Sequence, residues 1–179
     1  MMNLTTIFWL FVIMFALIGA TRGWAKELLV SFGMILAIFI STVIEVFLPG
    51  IKATLEGNGG AGLFWFRTAM IVILIFFGYQ TPNIPKLAAN NRFARERLQD
   101  MLLGAFIGAL NGYLVFGTIW YYLSLAKYPY GWVVPPVPGT PAGDAALQLM
   151  AILPPVWMAP PVIYVAIALA FVFVLVVFI

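Results

Sequence analysis

The residues of this chain that could do chemistry are few: six carboxylates, nine basic side chains and a mid-span asparagine, with no cysteine and no histidine among 179 residues. Without those two types there is no disulfide, no thiolate metal site and no c-type haem attachment. The commonest metal ligand and the side chain most used for acid–base work near neutral pH are absent as well. A serine nucleophile has no histidine base. Asp100 and Asp144 are expected at opposite ends of the molecule and so cannot form an aspartyl dyad. No phosphate-binding Gly-x-x-x-x-Gly-Lys loop or dinucleotide fingerprint is present. The sequence therefore points away from an enzyme, and no catalytic residue, metal site or cofactor is expected.

The remaining chemistry is that of paired charges and close helix contact. Glu45 and Arg67 fall about one turn from facing ends of two apolar runs and are expected at similar depth as an intramembrane ion pair, since an unpaired charge at a helix centre costs roughly 2.5–3.5 kcal/mol on insertion scales. Glu27 and Asp100 can compensate Arg22, Lys26, Arg95 or Arg97 at the other end. Asn111 reads as an interhelical hydrogen-bonding residue, with an ion or proton path as the alternative. Gly104, Gly108 and Gly112 in "GAFIGALNG" recur every four residues, and Gly19 and Gly23 repeat that spacing. Such a face admits another backbone closely; packing within the chain is the leading reading, with self-association or a foreign helix as alternatives.

These residues must be positioned by helices in lipid. Charged residues make up 8% of the chain and mean hydropathy is +1.08, against about 25% charged in a soluble domain. The fold class is all-α, a polytopic bundle of about five transmembrane helices, near Leu4–Ala20, Leu28–Leu48, Leu63–Tyr79, Met101–Leu125 and Val162–Ile179, because helices satisfy their own backbone in lipid. The first is read as a retained helix, with no basic residue before it and no A-x-A cleavage site after it. Six of the nine basic residues fall in the first and third connections, 21–27 and 80–100. The positive-inside rule then sets the N-terminus outside and the C-terminus in the cytoplasm.

The connections differ in kind. "TRGWAKE" (21–27) is expected as a tight charged turn, and "PGIKATLEGNGGAG" as a mobile glycine-rich outer loop. Residues 85–100 read as an amphipathic cytoplasmic helix whose Arg92, Arg95 and Arg97 form a basic surface suited to anionic headgroups. Residues 127–161 hold nine of the twelve prolines with clustered Tyr and Trp, an outer-face segment in which 145–153 forms a short helix in the outer leaflet or against a partner. This divides the chain into a membrane core (1–126), a proline- and aromatic-rich outer segment (127–161) and a C-terminal span (162–179).

Two stretches, "IGATRGWAKELLVSFGMILAIFIS" and "RLQDMLLGAFIGALNGYLVFG", make up about a quarter of the chain. They resemble the colicin V production protein family of bacterial inner-membrane proteins. That family opens with an apolar helix, a Gly-x-x-Arg-Gly-x-x-x-Glu turn and a second helix, matched here by Gly19, Arg22, Gly23 and Glu27, and has a later glycine-rich helix. The chain departs from the family in its long proline-rich segment and fifth apolar helix. The resemblance implies residence in the inner membrane and an association with export and envelope homeostasis. Together these readings favour a non-enzymatic scaffold or accessory subunit of a larger membrane assembly, with a respiratory or photosynthetic complex as a candidate host. Partners would be anionic lipid headgroups and other membrane subunits or copies of itself, with no nucleic acid. The alternative is a small homo-oligomeric channel or export accessory lined by the glycine face and Asn111.

Overall fold

The computed structural model describes residues 3–57, 60–80, 94–131 and 133–178. The regular structure of the described residues is all helical, without strands. In chain order they form α1 (Leu4–Arg22), α2 (Trp24–Phe47), α3 (Pro49–Glu56), α4 (Ala61–Tyr79), α5 (Ala94–Leu125), α6 (Pro141–Met150), α7 (Pro154–Trp157) and α8 (Val162–Phe178). Four of these, α1, α2, α4 and the stretch Glu96–Leu125 of α5, are long and apolar enough to cross a membrane. A fifth crossing exists if the α6–α7 segment and α8, which meet at a 61° bend, are taken as one broken span. These are the helices of a multi-pass membrane protein.

The long helices alternate in direction between two ends of one bundle. At one end, here the turn end, α1 passes into α2 through Gly23, whose amide donates to the Gly19 carbonyl and whose φ of +85° suits a residue without a Cβ. Tyr79 of α4 and Asp100 of α5 lie at the same end. At the other, here the cap end, lie the start of α1, the ends of α2 and α5 and the short helices α3 and α6. Asn3 caps α1 by accepting from the Thr5 amide at 3.0 Å; Thr140 does the same for α6 from Gly143 at 3.1 Å.

Helix α1 lies antiparallel along α5, the most extensive contact in the bundle, and α2 packs against α4, α5 and α8. The core is filled by residues from α2, α4 and α5, including the fully buried Val30, Met34, Ala37 and Ile71. Val30, Met34 and Ala37 recur along α2 at the 3.6-residue period that keeps one face inward. Outward faces stay apolar: Leu17 of α1, Phe106 of α5 and Val176 of α8 are all well exposed, as suits surfaces solvated by lipid.

Three sequence expectations change here. The charged turn is not a seven-residue connection; Arg22 ends α1, and Trp24, Lys26 and Glu27 already belong to the first turn of α2. The glycine-rich second connection is not a loop from its start, because residues 49–56 form a helix with Pro49 at its first position, where a missing N–H costs nothing. The C-terminal apolar helix, at 17 residues, is about 26 Å long, short of a ~30 Å hydrocarbon core unless the preceding segment completes it. That segment goes deep: the Tyr113 hydroxyl donates to the Ile152 carbonyl and accepts from Trp157 Nε1 at 3.0 Å, although Tyr113 lies about 18 Å along α5 from its C-terminal end. Room for this descent comes from Gly117, where any Cβ would sit 2.8 Å from Pro154 Cδ. Of the amphipathic segment expected over 85–100, residues 94–100 open α5, and 85–93 lie outside the described residues.

Candidate functional site

Two clusters of buried charge, one toward each end of the bundle, hold most of the polar chemistry of the spans. The turn-end cluster starts from Glu27. Because α2 begins directly after Gly23, Glu27 lies in the first turn of the helix and on its inward face, where it is fully buried. Arg22 Nη1 reaches its Oε1 at 2.6 Å. Asn111 of α5, also fully buried, donates through Nδ2 to the other carboxylate oxygen at 2.9 Å and to the Glu27 backbone carbonyl at 2.9 Å. Ser31, one turn further along α2, donates to Asn111 Oδ1 at 2.6 Å. The amide orientation follows from the partners, since an ionised carboxylate can only accept. Arg22 is completed by α4: its Nη2 donates to the Tyr79 carbonyl at 3.3 Å and its guanidinium stacks 4.1 Å from the Tyr79 ring centroid. Four helices are thus tied through one carboxylate, both of whose oxygens are occupied.

The cap-end cluster is a bidentate pair. Arg67 Nε and Nη2 reach Glu45 Oε1 and Oε2 at 2.6 and 2.5 Å, the fork geometry that makes Arg–carboxylate pairs strong and directional. The guanidinium lies 4.6 Å from the ring centroid of Tyr122 on α5, so the pair is held from three helices. Nearby, Lys52 and Glu56 of α3 form a looser i,i+4 contact at 3.8 Å.

The glycines bring backbones together. A Cβ on Gly19 would strike the Gly104 carbonyl oxygen, one on Gly108 would strike that of Phe15, and one on Gly112 would come within 2.8 Å of Val12 Cα. Gly23 lies against the Asp100 carboxylate, which also accepts from the Trp24 amide at 3.4 Å. The glycine face of α5 is therefore filled by α1 of the same chain, and aromatic pairs extend the seam, with Phe11 stacked on Phe116 at 3.5 Å between centroids.

The other sequence-identified residues are more dispersed. Arg97 is exposed and lines a turn-end cavity of about 560 Å³ with Thr21 and Asp100. Arg92 lies outside the described residues, as does the side chain of Arg95. Asp144 accepts from the Gly139 amide at 2.9 Å in the loop before α6, remote from Asp100. Near it, Tyr128 takes a hydrogen bond from Trp120 Nε1 at 3.3 Å; burial raises the pKa of its hydroxyl above the ordinary value. No three of the described Asp and Glu residues converge in a way that could hold a metal ion.

Sequence reasoning did not single out Ser31, Tyr79 or Tyr122 as partners of these charges. A spacing signal existed for the first: Glu27, Ser31, Met34, Ile38 and Ser41 fall at helical intervals on one buried face of α2. Tyr79 and Tyr122 carried none, because each contributes an aromatic face set by the tertiary arrangement. Comparison with models of protein families, with curated proteins and with solved structures gives no match to this chain.

Proposed function

We propose that this protein is a non-enzymatic scaffold or accessory subunit of a larger membrane assembly, resident in a bacterial inner membrane. The observation that carries the reading is where the polar and glycine residues are spent. Glu27, Arg22, Asn111 and Ser31 satisfy one another, Glu45 and Arg67 satisfy each other, and the glycine seam is closed by the chain's own α1. What remains facing outward is apolar helix: on α8, Val165, Leu169, Val172 and Val176 form an exposed stripe at helical spacing. Such a molecule offers neighbours shape and apolar surface instead of a reactive centre.

The resemblance to the colicin V production family supports bacterial inner-membrane residence and a role in the envelope. The basic excess in 21–27 and 80–100 supports a cytoplasmic turn end, with α3 and the proline-rich segment on the outer face. A respiratory or photosynthetic complex is a suitable host, in which a chain without histidine would stand apart from haem or chlorophyll ligation.

Extraction of native membranes in a very mild detergent, followed by a native gel and mass spectrometry of the band, tests this. The expected result is migration far above the 19.8 kDa chain mass together with other membrane proteins. A band holding this chain alone, as a small oligomer, would overturn the accessory reading and favour a homo-oligomeric channel.

A further inference from the structure

Beside the Glu45–Arg67 pair the cap end opens into a cavity of about 260 Å³, lined by Lys52, Glu56, Leu63, Arg67, Tyr122 and Leu125 among others. It is smaller than the roughly 300–1,000 Å³ of drug-sized pockets and suits a small polar group. Glu45 occupies two of the three guanidinium nitrogens of Arg67; Nη1 has no acceptor among the described residues. The Tyr122 hydroxyl has no partner among them either. Both donors belong to residues that line the cavity and are more than nine-tenths buried, and Lys52 adds a cationic side chain to the lining.

The charge balance narrows what can bind. Arg67 and Lys52 are offset by Glu45 and Glu56, so the site is neutral as it stands. A simple anion would leave net charge in a partly desolvated place, which is costly. A ligand carrying both signs preserves neutrality: its anionic oxygens meet Arg67 Nη1, the Tyr122 hydroxyl and Lys52, while its cation meets Glu56. Glu56 is half exposed and only loosely engaged with Lys52 at 3.8 Å, so it can accept from a primary ammonium. Arg67 lies about 9 Å inside the start of α4, near the depth where headgroups give way to acyl chains, and the helices that carry Lys52 and Arg67 also expose the apolar Ile51 and Trp65. We propose that this cavity binds the headgroup of a zwitterionic phospholipid bearing a phosphodiester and a primary amine, a phosphoethanolamine lipid.

The test is reconstitution of the full chain in nanodiscs of phosphoethanolamine, phosphocholine or phosphoglycerol lipids of matched acyl chains, with retained lipid counted by native mass spectrometry after detergent transfer. The amine lipid is expected to be retained about tenfold better than either other, one charge-assisted hydrogen bond's worth of discrimination. Glu56→Gln, at a half-exposed position that leaves the fold intact, is expected to erase the preference over choline, whose quaternary nitrogen cannot donate. Tyr122→Phe with Lys52→Gln is expected to weaken retention of all three lipids. Equal retention of amine and choline lipids by the unaltered protein, or a preference that survives in Glu56→Gln, would overturn the proposal. Stronger retention of the glycerol lipid would replace it with a plain anion site. Equally tight binding of soluble glycerophosphoethanolamine would overturn the assignment to a lipid.

Discussion

Gly108→Leu is expected to be among the most damaging single substitutions in the protein, lowering stability by about 3 kcal/mol or more, at or beyond the upper end of ordinary overpacking. The first added carbon alone would collide with the Phe15 carbonyl oxygen and come within 3.0 Å of Gly19 Cα. Both obstacles are backbone, which cannot rotate aside. Helix α1 would have to withdraw along the whole seam, giving up the close backbone approach that packs helices in lipid, where the hydrophobic effect offers no replacement. Gly50→Leu is the matched control, since nothing lies within 4 Å of a Cβ there, and a change within about 0.5 kcal/mol is expected. Unfolding by denaturing detergent in mixed micelles measures both. Equal behaviour of the two variants would mean that the α1–α5 seam is not the tightest part of the bundle.

Arg22→Met is expected to cost about 3–5 kcal/mol, the range for stranding one member of a buried ion pair. Glu27 is fully buried; without the guanidinium its charge would lose its ion-pair partner and keep the hydrogen bond from Asn111 Nδ2. The double variant Arg22→Met with Glu27→Met removes both charges, and Asn111 still has the backbone carbonyl of residue 27 to bond. It is expected to be substantially more stable than Arg22→Met alone, because a buried pair exchanged for apolar side chains is often neutral. The same detergent titration reads the comparison. A double variant no better than the single one would show that Arg22 acts through its contacts with Tyr79 on α4 and not by neutralising Glu27.

The two charge clusters were not equally legible in the sequence. Glu45 and Arg67 could be paired in advance because apolar runs of similar length that alternate in direction bring their flanking charges to the same depth. Glu27 was harder. Beside Arg22 and Lys26 it read as a surface charge of a seven-residue turn, and that reading fails because Gly23 at φ +85° turns the chain in a single residue. The shorter turn moves Glu27 into the helix and onto its buried face. A similar contraction explains α3. Four of the five glycines of that connection gather at positions 57–62, after the helix, while 49–56 holds only Gly50, begins with a favourable proline and carries Lys52 and Glu56 one turn apart. The deep course of residues 150–157 could not be read from proline content, which marks breaks in a helix but not the depth at which they fall. That depth depends on Gly117, distant in sequence, lacking the side chain that would exclude Pro154.

The scaffold reading and the glycine seam meet in one claim: the closest helix pair of this molecule forms within a single chain, leaving the outer faces for lipid and partners. The absence of native cysteine gives a blank background for testing it. Phe11→Cys and Phe116→Cys, placed where two rings stack 3.5 Å apart, should cross-link under mild oxidation in native membranes. The account predicts that the doubly substituted chain links within itself, joining its two proteolytic fragments at monomer mass. Co-expressed single variants should stay unlinked. Dimers formed between co-expressed Phe11→Cys and Phe116→Cys chains would contradict it, and would place the glycine seam between subunits.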